Sequence, residues 1–84
     1  MTKRKNIKHD IIAIIESCKS LGLPCDKERL VLEIGQKTHY FENYYRNIYN
    51  RIKTEQIKND IGLYQDKFGN FKYDKLTAKR NGYL

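Results

Sequence analysis

Between Thr38 and Lys58 the chain carries two opposite faces at helical spacing, a pattern that restricts the folds open to it. At 100° per residue, Phe41, Tyr45, Ile48 and Ile52 fall on one apolar stripe. Asn43, Arg46, Asn47, Asn50, Lys53 and Thr54 collect on the other side, with Glu42 at the margin. The stripe requires a core to pack against. The polar side presents amides and cations instead of interleaved Glu and Lys, and such groups reach phosphate oxygens and base edges. The spacing predicts one continuous helix, capped by Thr38 and reaching Ile57 or Asn59, with Arg51 and Glu55 paired one turn apart.

Two helices are expected before it. Ile7, Ile11, Ile14, Ile15, Cys18 and Leu21 recur at helical spacing until Gly22 stops them, which predicts a helix from Asn6 or Lys8 to Leu21. Pro24 then pushes Leu23 out of the helical region. Asp26 is placed to cap a second helix, with Glu28 in its first turn, Leu30, Val31 and Ile34 on its buried side and Gly35 at its end. The alternation of Leu30, Leu32 and Ile34 also fits a short strand; Asp26 and Gly35 decide for helix. Gln36 and Lys37 then make a short turn.

After Ile61-Gly62 the period changes to two, so Leu63–Lys67 and Phe71–Leu76 read as strands flanking a two-residue Gly69-Asn70 turn. With Phe68 against Phe71, that register opposes Lys67 and Lys72. Like charges directly opposed cost stability unless both splay into solvent or something anionic meets them. The fold class expected is α+β and mainly helical, a three-helix core followed by a C-terminal β-hairpin. Residues 1–6 read as a flexible basic arm, 7–76 as a single globular domain and 77–84 as a basic tail. The predicted core is Ile11, Ile14, Ile15, Leu21, Leu30, Ile34, Phe41, Ile48, Ile52 and Phe71.

Charge narrows the function classes. The 17 Lys and Arg against 10 Asp and Glu leave a formal charge of +7, which favours polyanion partners, nucleic acid first. Cys18 and Cys25 are too few and too far apart for a zinc site, and His9 and His39 add no ligand spacing. They read as small buried hydrophobes, although a tight turn between the helices would also permit a disulfide. No apolar run approaches the ~18 residues of a membrane span and no signal peptide is evident, so a cytoplasmic location without membrane contact is expected. The sequence has no nucleophile–base arrangement, phosphate-cradling glycine loop or paired metal ligands; Asp60, Asp66 and Asp74 are scattered. A binding protein without cofactor is expected, not an enzyme.

Three helices followed by a hairpin, the third helix polar outward, resembles the winged helix-turn-helix DNA-binding domains. Asp26–Gly35 would be the supporting helix, Gly35-Gln36-Lys37-Thr38 the turn, Tyr40–Lys58 the recognition helix and Gly62–Leu76 the wing. The resemblance implies that the 40–58 helix enters the major groove of double-stranded DNA, with Asn43, Arg46, Asn47 and Asn50 at base edges or neighbouring phosphates. Lys53, Lys67, Lys72 and the arm residues Lys3, Arg4 and Lys5 would contact phosphates. Small size and Lys, Asn, Ile and Tyr richness suit a regulator or accessory factor of a phage or mobile element. The rival is a docking module on a nucleic-acid-processing enzyme, anchored by Tyr40, Tyr44 and Tyr49. A third route, stacking of single strands on Phe68, Phe71 and Tyr73, requires those rings to be exposed. The sequence leaves the oligomeric state open.

Overall fold

The computed structural model describes residues 7–38 and 49–84. Its described elements are α1 (Ile7–Leu21), α2 (Lys27–Thr38), α3 (Glu55–Ile61), β1 (Tyr64–Gln65), β2 (Phe71–Lys72) and α4 (Lys75–Arg80); residues 49–52 are also helical. Among the described residues the architecture is mainly helical α+β with one two-stranded antiparallel sheet.

The first helix ends where its glycine demands. Gly22 sits at φ 69°, and the chain folds back so that Leu23 N–H donates to Cys18 O (2.9 Å) and Gly22 N–H to Lys19 O (3.2 Å). This pair of bonds satisfies carbonyls that a helix end leaves open, and only glycine reaches that backbone region without strain. Asp26 caps α2, its Oδ1 accepting from Arg29 N–H at 2.9 Å. Leu30, Val31 and Ile34 on α2 are fully buried against α1, which contributes Ile11, Ile12, Ile14, Ile15 and Cys18. Cys25, Ile52, Ile57, Ile61, Leu63, Phe71 and Ala78 belong to the same cluster.

Several expectations need correction. Leu21 is 68% exposed, because it is the last residue of α1 and the chain turns away there; Ile12 is buried instead. Gly35 does not end α2, which continues to Thr38. Gly35 is buried within the helix, so Gln36 and Lys37 are helical and Thr38 closes one helix where it was expected to open another. Phe41 and Ile48 lie outside the described residues.

The continuous 38–58 helix is interrupted. Thr54 adopts extended backbone (φ −67°, ψ 148°) between the helical residues 49–52 and α3. Its hydroxyl and its N–H both donate to Arg51 O, at 2.9 and 3.2 Å, and its own carbonyl accepts from Lys58 N–H. The apolar phase explains the break. Five residues separate Ile52 from Ile57, about 140° off the 41/45/48/52 stripe in a continuous helix. Both are buried, together with Ile61 one turn beyond Ile57, and restarting the helix at Thr54 is what brings them to the core.

The hairpin is also shorter and differently registered. Tyr64 pairs with Lys72 and Gln65 with Phe71, so the loop is residues 66–70 and not Gly69-Asn70 alone. Asp66 organises it: Oδ1 accepts from Phe68 N–H (2.9 Å) and Asn70 N–H (3.0 Å), while its backbone carbonyl accepts from Gly69 N–H (3.0 Å). An Asp opening a turn that closes on Gly is a familiar turn signature that outcompetes the tighter alternative here. Lys67 and Lys72 therefore do not oppose each other; Lys72 approaches Asp66 at 3.8 Å. Phe71 N–H donates to Cys25 O (2.8 Å), fastening the hairpin to the α1–α2 connection.

The stretch expected as a second strand and a basic tail holds α4. Asp74 caps it through Leu76 N–H and the Thr77 hydroxyl, and these bonds, the Thr77 hydroxyl first, hold the Asp74 carboxyl below its ordinary value. Leu76, expected at the end of the second strand, points outward at 73% exposure, and Ala78 is buried against α3. Beyond the helix, Tyr83 docks beside α1: Lys8 Nζ donates to its hydroxyl at 3.2 Å and its ring meets that of His9.

Cys18 and Cys25 are free thiols with 6% and 5% exposure. Burial, with Cys18 beside it, pushes the Cys25 thiol up to about 12. At neutral pH this lowers its thiolate fraction on the order of 10³-fold relative to an ordinary thiol. A chromogenic disulfide reagent should therefore leave Cys25 almost untouched in the native protein and react promptly in denaturant; prompt native reaction contradicts this packing.

Candidate nucleic-acid interface

The expected contact residues divide into two groups. Asn43, Arg46, Asn47, Lys3, Arg4, Lys5, Tyr40 and Tyr44 lie outside the described residues. Asn50, Lys53, Lys67 and Lys72 are described and all four are exposed.

Asn50 and Lys53 are carried by the helical residues 49–52 and the turn after them, anchored by Ile52 in the core. Tyr49 is half-buried against that core, and two ammonium groups bracket its ring, Lys27 Nζ at 4.8 Å and Lys53 Nζ at 4.9 Å from the centroid. The ring's π-system attracts each cation without neutralising it. Among the described residues, no carboxylate lies within ion-pair distance of Lys27 or Lys53. Lys27 was not singled out from the sequence. As the first residue of α2 it is far in sequence from Lys53, and only packing brings the two to one ring.

The hairpin supplies a second group of charges. Lys67 Nζ rests 5.2 Å from the centre of the Phe68 ring, which is 75% exposed, and no carboxylate pairs with it among the described residues. Lys72 is partly offset by Asp66, whose carboxyl is held below its ordinary value by the Asn70 and Phe68 amides and then by the charges of Lys72 and Lys67. Of the rings considered for stacking, Phe68 is open, Phe71 is buried and Tyr73 is half-buried. The Tyr73 hydroxyl donates to Glu16 Oε2 at 2.8 Å, and burial followed by that bond pushes it up to about 12.

Among the described residues no helix is long and apolar enough to cross a membrane, and no group of three or more His, Cys, Asp or Glu is placed to hold a metal ion. No family model, curated protein or solved structure matches the chain.

Proposed function

We propose that this is a small basic nucleic-acid-binding protein that contacts double-stranded DNA. Asn43, Arg46, Asn47 and Asn50 would meet base edges, and Lys53, Lys67, Lys72 and the basic arm would meet phosphates. In this reading the hairpin is a wing beside the recognition segment, in the manner of winged helix-turn-helix domains. The backbone bond from Phe71 to Cys25 ties such a wing firmly to the helices. The role is that of a regulator or accessory factor of a phage or mobile element, without catalysis.

The observation that carries the reading is the charge of Lys27, Lys53 and Lys67, three exposed ammonium groups that rest on aromatic rings with no carboxylate at ion-pair distance among the described residues, within a chain of net charge +7. Displacement of counterions by such groups supplies most non-specific affinity for DNA. The test is fluorescence anisotropy with a labelled duplex at ~50 mM salt. Binding should weaken with salt at a log–log slope near −4.5 for about five phosphates, and Arg46→Ala with Asn50→Ala should abolish it. Absence of duplex binding by the wild type ends the proposal.

A further inference from the structure

A cleft of about 410 Å³ opens between the C-terminal half of α1, the α1–α2 connection and the hairpin. Its floor is apolar and closed, made of Ile15, Cys18, Cys25 and Phe71. Lys19, Lys72 and Lys75 stand around it. The one acid in its lining, Glu16, is already engaged by the Tyr73 hydroxyl. A second cleft, about 240 Å³, carries Lys53 and Lys58, the latter in an exposed ion pair with Glu55 at 3.9 Å that a phosphate would compete with. Tyr64 lines both and is 52% exposed.

Cations alone would accept any polyanion. An apolar floor and an open aromatic ring set between two cationic clefts ask for more: planar apolar groups alternating with negative charges. The repeating unit of a nucleic acid has this form. In a duplex the bases are stacked inside, and neither ring face nor cleft floor can reach them; in a single strand they are free to stack on a side chain while phosphates follow the lysines. The larger cleft has the size of ordinary small-ligand sites, enough to seat one base.

We infer that the Tyr64 clefts bind unpaired nucleic acid, with one base stacked on Tyr64, its neighbour seated over Cys25 and Phe71, and the flanking phosphates held by Lys19, Lys72 and Lys75 on one side and Lys53 and Lys58 on the other. The inference rests on nucleic acid being the partner, but not on duplex recognition by the 40–58 segment. It gives the protein a place at DNA whose strands have parted, such as an opened duplex or a single-stranded overhang.

The test compares a labelled oligothymidylate with a blunt duplex of equal length, by anisotropy at ~50 mM salt. Tyr64→Ala should weaken single-strand binding about tenfold or more, and Tyr64→Phe should keep it, since the ring and not the hydroxyl stacks. Lys19→Ala with Lys75→Ala should make the single-strand salt slope shallower by about 1.4, two phosphates at roughly 0.7 each. Duplex affinity should change less than twofold with Tyr64→Ala. Lys19 and Lys75 are exposed, so their variants carry the test should Tyr64→Ala fail to fold.

Single-strand binding that ignores both Tyr64→Ala and the double lysine variant overturns the inference, as does displacement of the strand by an acidic peptide of equal charge. Binding of duplex without single strand also removes it and leaves the duplex proposal standing. Binding of single strand alone does the reverse, and binding of neither ends both.

Discussion

Gly62→Ala should destabilise the protein by about 3–4 kcal/mol, a large share of the about 4–12 kcal/mol expected for a domain of this length. Two costs coincide. Gly62 caps α3 at φ 65°, ψ 38°, a left-handed conformation that costs an ordinary residue roughly 1–2 kcal/mol. A Cβ placed there would also lie 2.6 Å from Asp74 Cβ and 3.2 Å from Asp74 N. The second contact is with backbone, so no rotamer change relieves it. Asp74 N–H donates to Ile61 O at 3.0 Å, and Asp74 caps α4. Moving Asp74 away would break the bond that joins the end of α3 to the start of α4. Urea unfolding measures the loss. A control, Gly22→Ala, meets no atom within 4 Å and should cost only the backbone term. Equal losses at the two positions would contradict the crowding argument.

The contrast among these glycines also shows what could be read in advance. Gly22 closes its helix where the apolar series stops, as the sequence implies, whereas Gly62 closes α3 after Ile61, beyond the expected end at Ile57 or Asn59. Gly35 carries the same local signal yet lies buried inside α2. Glycine permits a left-handed turn without requiring one, and close packing asks for it equally. The phase slip between Ile52 and Ile57 was legible and is the reason helical residues 49–52 and α3 are separated at Thr54. The Asp66-to-Gly69 turn was also legible, but a competing hairpin rule pointed to Gly69-Asn70. By contrast, the pairing of Lys27 with Lys53 on Tyr49, and the meeting of Lys19, Tyr64 and Lys75 around one cleft, follow from tertiary packing that no spacing encodes. Helix caps and core faces are local properties of the chain. A cationic surface is assembled from distant segments, so its charge was foreseeable and its layout was not.

The ion pair between Lys8 and Asp60 sets up the other large effect. Lys8, in the first turn of α1, keeps only 11% of its side chain exposed, and Asp60, in the last turn of α3, keeps 28%. The Tyr83 hydroxyl accepts from the same ammonium group, and Asn81 Nδ2 donates to Asp60 O at 2.9 Å, so one charge pair joins α1, α3 and the chain end. Asp60→Ala would take the carboxylate away from a buried ammonium group, and should cost about 2–3 kcal/mol, below the usual range for a fully buried pair because Asp60 is partly hydrated. Lys8→Met keeps the stem's packing and leaves a carboxylate that can rehydrate, so about 1 kcal/mol is expected. The hydrogen bond to Asp60 raises the Lys8 pKa above its ordinary 10.5 despite burial. Below 10.5 both folded and unfolded chains hold the proton and the stabilisation is complete. Above it the unfolded chain releases the proton first, so stability falls as pH rises through the higher folded value. Tyr73, pushed up to about 12, acts in the same direction, which makes the difference between variants the informative quantity. Urea midpoints measured from pH 9 to 12 should converge for the wild type and Lys8→Met at the alkaline end. A gap that stays constant across that window would mean that Lys8 acts through packing and not through charge.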